Sequence, residues 1–241
     1  MEKAFSGEFT EQKEKHIDFD NIVENTEIFL AEGEILRESQ RIVAREYSNF
    51  MHEDEKDELV AFQDLCIDEL SPEGHTFVAQ HTDPETKKSS ILGSVRLVFG
   101  NTQRIPPLEA MELIDVVDKN TGESHWPHQD MDEKIEINEI CEVGRFVLIG
   151  QAKKDPETQL FISTALMQAI SLDAREKEAK LMIAIMPKHV YAFTGRNGIK
   201  MTKLNGDREI KFSDSAHAKK TRERYPIYWY KLKPSLYTLD F

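Results

Sequence analysis

The segment from residue 139 to residue 149, Glu-Ile-Cys-Glu-Val-Gly-Arg-Phe-Val-Leu-Ile, constrains the fold of this chain more than any other. Apolar and polar residues alternate along it, which predicts a half-buried β-strand. Glu142 and Arg145 are an odd number of residues apart, so a regular strand would place their side chains on opposite faces. Gly144 lies between them, and a glycine inside a strand often marks a β-bulge. A bulge here would bring the carboxylate and the guanidinium to one face.

This arrangement has two interpretations. A carboxylate beside a guanidinium, with backbone N–H groups left unpaired by the bulge, suits deprotonation of an amine and stabilisation of an oxyanion. The same residues could instead form an ion pair on an edge strand beside a structural glycine. Taken alone, the segment favours the second interpretation.

Length and composition exclude several classes of protein. A chain of 241 residues can bury a full core, as one large domain or two small ones. The sequence contains no run of 18 apolar residues, and its first residues lack the basic and apolar regions of a secretory signal. Cys66 and Cys141 have no metal-type spacing, so we expect free thiols, a reducing cytoplasm and no metal site.

Charge is unevenly distributed along the chain. The net charge of −13 argues against a nucleic-acid-binding protein. Residues 175–233 nevertheless carry 15 Lys/Arg against 6 Asp/Glu, a balance of +9, which leaves −22 on the remainder. This basic segment could dock an anionic partner, or it could complement the acidic part within one fold. Charge alone leaves both alternatives open.

The succession of predicted elements is β-α-β-β-α-β-α-β-α-β-β. It predicts a single α/β domain over residues 16–241, with a mixed central sheet and helices on both faces, after a flexible segment 1–15. The long polar stretch 118–134 is typical of a functional flap. Strands are predicted at 16–23, 75–79, 91–98, 139–149, 181–186, 199–204 and 225–232, and helices at 27–47, from 105, at 156–178 and at 187–195.

At this point a set of motifs resembles a known family. The chain is similar to the acyl-homoserine-lactone synthases and their relatives, the N-acyl amino acid synthases, which share the GNAT acyltransferase fold. The resemblance runs from about residue 16 to residue 232 and is sparse in identities. Its motifs are the helix arginines Arg37 and Arg41, the acidic residues Asp64 and Asp68, the strand-opening His75, Gly-x-x-Arg-Leu at 93–97, Pro-Leu-Glu at 107–109, and Glu-x-x-Arg-Phe at 142–146.

The resemblance implies an N-acyltransferase that moves a fatty acyl group from a thioester to an amine. Glu142 would be the base, and the backbone N–H groups of Phe146 and Val147 would meet the oxyanion. The acceptor would be bound by Arg37, Arg96 and Arg145 together with Asp64 and Asp68, although the two aspartates also fit a solvated acidic face.

The acyl chain needs an apolar slot between splayed strands. The candidates for its lining are also the residues expected of an ordinary core. They are Leu148, Leu160, Phe161, Ala165 and Leu166.

Departures from the family pattern bear on both substrates. Gly144 stands where the family usually has serine, and Tyr47 and Phe50 follow the first helix where the lactone synthases carry tryptophan. The second difference favours an amino-acid-like acceptor over S-adenosylmethionine. Residues 153–159, Lys-Lys-Asp-Pro-Glu-Thr-Gln, lack the glycine-rich turn that holds the pyrophosphate of CoA in acetyl-CoA enzymes of this fold. That absence favours an acyl-phosphopantetheine thioester on acyl carrier protein, with no tightly bound cofactor.

Other readings of the sequence are weaker. His125 and His128 lack a strong third metal ligand, His75 fits a satisfied histidine at a strand end, and the basic run 219–224 fits a solvated turn or part of a carrier-docking surface. Alternative functions are an acyl-homoserine-lactone synthase, a CoA-dependent N-acetyltransferase, and a non-catalytic acyl- or carrier-binding module. A lipid product would allow peripheral association with a membrane without a membrane span.

Overall fold

A computed structural model describes residues 19–51, 74–101, 114–117, 120–123, 135–196, 199–204 and 209–239. The predicted N-terminal segment, the acidic pair Asp64 and Asp68, the helix predicted from residue 105, the Pro-Leu-Glu turn and most of the stretch 118–134 lie outside these residues.

The central element is a seven-stranded mixed sheet with the strand order β1-β2-β3-β5-β6-β9-β7. All neighbouring strands run antiparallel except β5 and β6, which are parallel. A separate two-stranded ribbon joins β4 to β8. The strands are β1 (Thr26–Leu30), β2 (Gly74–Thr82), β3 (Ser89–Phe99), β4 (Ile114–Val117), β5 (Ile140–Leu148), β6 (Leu181–Met186), β7 (Met201–Lys203), β8 (Glu209–Phe212) and β9 (Ser235–Leu239).

Helices cover both faces of this sheet, which confirms the predicted fold class. One face of the sheet packs against α2 (Gly33–Ser48), α6 (Ala216–Arg224) and a π-helical turn (Ile227–Leu232) through one buried apolar cluster. We call it the α2 face. The opposite face, which we call the α4 face, packs against α1 (Phe19–Glu24) and the long α4 (Pro156–Glu176) through a second buried apolar cluster. Two shorter helices, α3 (Gln151–Lys154) and α5 (Lys188–Arg196), follow β5 and β6.

The start of α4 shows how the local sequence sets an element boundary. Asp155 has an extended backbone and caps the helix, and Pro156 occupies its first turn. Proline suits this position because its missing N–H group would have no helical partner there. The predicted helix at 156–178 therefore begins where expected and ends at Glu176.

Three predicted elements are wrong. Residues 19–24 form a helix and not a strand, because Phe19, Ile22 and Val23 also have helical spacing. Ile22 is buried in the apolar cluster on the α4 face. The next helix begins at Gly33, since residues 26–30 form β1. The aromatic run 227–232 forms a π-helical turn in which Trp229 is buried, so tertiary packing outweighs its β propensity.

Within the described residues, none of the helices combines the length and the apolar character that crossing a membrane requires.

Candidate active site at the bulge of the central strand

Strand β5 contains the bulge that the sequence predicts. Ser94 on β3 pairs with Val147, and Arg96 pairs with Gly144, so Val95 alone lies opposite both Arg145 and Phe146. The residue with left-handed backbone is Arg145, at φ 53°, and not the glycine before it. A non-glycine residue in this conformation is uncommon and carries strain, which is typical of functional sites.

The bulge places Glu142 and Arg145 on the same face of the sheet. Ile140 and Val147 both belong to the core cluster of the α2 face although an odd number of residues separates them. Glu142 pairs with Ile183 of the same cluster, and Arg145 lines a pocket together with Ser39 of α2, so both side chains lie on the α2 face. Glu142 is only 5% exposed. The prediction that one face holds the carboxylate and the guanidinium is confirmed.

The ladder between β5 and β6 ends beside Glu142. It consists of three pairs, the last of which joins Glu142 to Ile183, while β5 continues to Leu148 and β6 to Met186. Among the described residues, the backbone of β5 beyond Glu142 therefore has no ladder partner on the β6 side. The bulge lies within this part of the strand.

A small pocket lies on the α2 face next to the bulge. The space inside its outline is about 240 Å³ and includes open solvent, and the room within it is that of about one water molecule. The side chain of Arg96 is 7% exposed and lies over β2, where a Cβ atom on Gly74 would be 2.9 Å from a guanidinium nitrogen. Ser39 and Ser94 join α2 to β3 through a hydroxyl–hydroxyl hydrogen bond of 2.7 Å. The described lining residues are Ser39, Gln40, Val43, Thr76, Ser94, Arg96 and Arg145.

The structure brings together some of the predicted acceptor residues and not others. Arg96 and Arg145 line the pocket. Glu142 is two residues before Gly144 on β5, and Gly144 pairs with Arg96 on β3. Arg37 lies on an exposed flank of α2, outside the described lining. Asp64 and Asp68 lie outside the described residues.

Sequence reasoning missed Ser39 and Gln40, which α2 contributes to the pocket. A signal for them exists in the sequence. Leu36, Val43 and Ala44 recur at helical spacing, and Ser39 and Gln40 occupy the positions of that stripe where apolar residues are expected. Polar residues within an otherwise apolar stripe indicate a polar feature beneath the helix.

The candidate acyl-chain residues are split between core and surface on the α4 face. Leu148 and Leu166 converge on Gly93, where a Cβ atom would lie 3.1 Å and 3.0 Å from their methyl groups. Leu166 is fully buried, Ala165 is half-buried, and Leu160 is 45% exposed. Phe161 stacks edge-to-face on Phe19 with ring centroids 6.3 Å apart. Leu148, Phe161 and Ala165 are therefore the half-buried members of this set.

The segment between β5 and α4 differs from a pyrophosphate cradle. Its only glycine, Gly150, precedes α3 at φ 57°. The Asp155 carboxylate accepts hydrogen bonds from the backbone N–H of Thr158 at 2.7 Å and from its hydroxyl at 2.6 Å. The hydroxyl and then the backbone donor hold the pKa of Asp155 below its usual value. The N-terminus of α4 thus already carries an anion.

Two other groups near the site have structural explanations. The Nδ1 atom of His75 lies 2.7 Å from the Asp173 carboxylate on α4. Burial, and then the charges of Asp173 and Glu142, raise the pKa of the Cys141 thiol to about 12, so the thiol stays protonated and unreactive. Among the described residues no cluster of three or more His, Cys, Asp or Glu side chains could hold a metal ion, and His125 and His128 lie outside them.

No protein-family model and no curated protein matches this chain. Solved structures do match it. The acyl-homoserine-lactone synthase LasI aligns over 89% of each chain with 14% identity and a TM-score of 0.48. The N-acyl amino acid synthase FeeM from uncultured soil microbes aligns over 90% of this chain and 89% of its own, with 11% identity and a TM-score of 0.44. An acetyltransferase of the GNAT family from Staphylococcus aureus Mu50 aligns over 88% of this chain and 97% of its own, with 12% identity and a TM-score of 0.45.

The first two structures carry the names of the two groups that the sequence motifs resemble.

Proposed function

We propose that this protein is an N-acyltransferase that moves a fatty acyl group from a thioester on acyl carrier protein to the amine of an amino-acid-like acceptor. One observation carries the proposal. The bulge at Arg145 sets a buried carboxylate, Glu142, and a guanidinium on one face of β5 at the point where its ladder with β6 ends. This combines a base, a cation and backbone donors at a single opening in the sheet.

The reaction needs a base because the acceptor is an ammonium ion near neutral pH. Glu142 takes one proton from it, directly or through a water molecule. The amine nitrogen then attacks the thioester carbonyl carbon, a C–N bond forms, and the C–S bond breaks. The leaving thiolate is protonated as the nitrogen loses its second proton. The products are an amide, the thiol of the carrier and one proton.

The backbone N–H groups of Phe146 and Val147 are our candidates for binding the oxyanion of the tetrahedral intermediate. They directly follow the left-handed residue Arg145, in the part of β5 that lies beyond the last β5–β6 pair. Fixed backbone donors suit this role because they need no reorganisation as charge develops, and a single such donor is worth about 10²–10³ in rate.

The acceptor is assigned to the pocket on the α2 face. The guanidinium groups of Arg96 and Arg145 line it, and a guanidinium binds a carboxylate through two parallel hydrogen bonds. Arg37, Asp64 and Asp68 remain candidates for the acceptor from the family resemblance alone.

The acyl chain is assigned to the α4 face of the sheet, where α4 packs over β2, β3 and β5. Leu148, Phe161 and Ala165 are the half-buried apolar candidates for its lining. Leu160 and Leu166 were predicted for the same role; the first is exposed and the second is fully buried against Gly93. A lining role for Leu166 requires its methyl groups to be exposed when the chain binds.

Acyl carrier protein is favoured over free CoA as the donor because of Asp155. In a CoA enzyme the pyrophosphate is held by backbone N–H groups at a helix N-terminus. Here the Asp155 carboxylate is bound to Thr158 at the start of α4 and would repel a pyrophosphate. An acidic carrier also suits the exposed lysines Lys219 and Lys220 on α6.

Glu142→Gln tests the role of the base. The change keeps the shape of the side chain and removes its basicity, so we expect acyl transfer from a loaded carrier protein to fall by about 10²–10⁴. Product would be followed by mass spectrometry and free thiol by a colorimetric assay, with acyl-CoA as a parallel donor. The matched control is Glu123→Gln in an exposed turn. Turnover by Glu142→Gln equal to that of the control would rule out Glu142 as the base.

Charge reversal tests carrier docking. We expect Lys219→Glu with Lys220→Glu to weaken carrier binding and to remove the loss of affinity with added salt, because the attraction that salt would screen is gone. The matched control reverses Lys87 and Lys88, which are exposed in the β2–β3 turn. An affinity for the carrier that does not change between low and high salt would contradict docking on the basic surface.

A further inference from the structure

Two polar side chains in the acceptor pocket have no hydrogen-bond partner among the described residues. Gln40 is 5% exposed and Thr76 is 7% exposed, and both line the pocket. Neither side chain makes a hydrogen bond with any residue in the described part of the chain. By contrast, the neighbouring hydroxyls of Ser39 and Ser94 bind each other. The carboxamide and the hydroxyl are therefore available to a ligand.

The polar atoms of Gln40 and Thr76 are not among the fully buried atoms that lack a partner, so they face the open space of the pocket. The positions around Gln40 on this helix face include Val43 and Ala44, which pack in the core. The Gln40 carboxamide offers one hydrogen-bond acceptor and two donors to whatever fills the pocket.

The remaining lining restricts the class of ligand. Among the described lining residues there are two guanidinium groups and no carboxylate, which suits an anionic group such as an α-carboxylate. The pocket's 240 Å³ includes open solvent, and the room among its lining atoms is that of about one water molecule. The lining therefore indicates the chemistry of the ligand and not its size.

We infer that Gln40, assisted by Thr76, selects an acceptor amino acid whose side chain forms hydrogen bonds over an apolar amino acid of the same shape. This inference rests on the proposed function and adds to it the class of acceptor side chain and the residues that recognise it. The two kinds of acceptor side chain leave the Gln40 carboxamide in different states. A polar side chain satisfies the carboxamide, whereas an apolar isostere would seal it in the pocket unsatisfied.

The test uses two isosteric pairs of acceptors, threonine with valine and glutamine with methionine. The purified enzyme is given a carrier protein loaded with a fatty acyl group, and kcat/KM is measured for each amino acid. We expect the wild type to prefer the polar member of each pair by about tenfold or more. In Gln40→Leu the ratio should fall to within about threefold of one, because the group that discriminates is gone.

The matched control is Gln80→Leu, the same chemical change on β2 outside the described pocket lining. It should keep the wild-type ratio. Thermal unfolding of both variants identifies any loss of folded protein, and a ratio within one variant does not depend on the amount of active enzyme. A wild type without preference, or a Gln40→Leu variant that retains it, would overturn the inference and leave the proposed function standing.

A second measurement separates the two hypotheses. Calorimetric titration of the same four amino acids into the wild type and Gln40→Leu, without donor, reports binding alone. If the wild type shows a binding preference that Gln40→Leu abolishes, and no amine gives an acyl product, the proposed function is overturned and Gln40 remains the selecting residue. Absence of both preference and product would remove both.

Discussion

Gly93→Ala is expected to destabilise the protein, and Gly144→Ala on the neighbouring strand is not. An alanine Cβ at Gly93 would lie 3.0 Å from methyl groups of Ile162 and Leu166 and 3.1 Å from one of Leu148. Ile162 and Leu166 are fully buried on α4, so they cannot move aside without shifting the helix. At Gly144 a Cβ would meet no atom within 4 Å, and the backbone φ is not left-handed.

The magnitude follows from these contacts. Overpacking of a core costs about 1–3 kcal/mol. Replacing glycine also restricts the unfolded chain, which returns about 0.4–1 kcal/mol. The net loss at Gly93 is therefore about 0–2.6 kcal/mol, and its midpoint of about 1.3 kcal/mol corresponds to roughly 4 °C in Tm for a chain of this length. Gly144→Ala should be neutral or stabilising by up to about 1 kcal/mol.

Urea unfolding followed by the fluorescence of the buried Trp229 measures both changes. The two variants carry the same chemical change in adjacent strands, so their difference reports the local packing. Equal stabilities of Gly93→Ala and Gly144→Ala would show that the packing of α4 against Gly93 leaves room for a methyl group. Gly144→Ser, which restores the residue usual in the resembled family, should behave like Gly144→Ala because the added atoms have space.

Two further predictions concern titrating groups. The pKa of Asp155 is lowered in the folded protein, so its contribution to stability is present above about pH 4, the ordinary value for aspartate, and is lost as the pH falls through the folded pKa. The difference in unfolding free energy between the wild type and Asp155→Asn, measured in urea, should therefore shrink below about pH 4; a constant difference down to pH 2 would contradict the cap. The pKa of Cys141 is raised to about 12, so the free energy of unfolding should fall as the pH rises above about 8.5. For the same reason, a Cys66→Ser variant, whose remaining thiol is Cys141, should resist iodoacetamide at pH 8 until it is unfolded. Rapid alkylation of the folded variant would show that Cys141 is accessible as a thiolate.

Local sequence was sufficient wherever neighbouring residues control the conformation. The helix from Pro156 follows from its cap and its apolar periodicity, and the buried strand at 181–186 follows from a continuous apolar run. Prediction failed at residues 19–24 and 227–232, where short apolar and aromatic runs fit two periods equally well. In both cases burial against a distant element decided the outcome, and no local pattern contains that information.

The candidate site divides in the same way. Glu142 and Arg145 could be found from the sequence because a bulge is set by a few consecutive residues, although only the structure shows that Arg145 and not Gly144 adopts the left-handed backbone. Gln40 is distant in sequence from Thr76 and Arg96, and nothing in its own helix identifies those neighbours.

By itself, the sequence determined an α/β fold with a mixed sheet and a bulge that brings a carboxylate and a guanidinium to one face of its central strand. Tertiary structure decided what surrounds them. The β5–β6 ladder ends at Glu142, and α2 lays Ser39 and Gln40 over Ser94 and Arg96. The physical reason is the separation along the chain of the residues that determine each feature. Caps, turns and bulges depend on atoms a few residues apart, whereas a pocket exists only after helices and strands from distant parts of the chain have packed together.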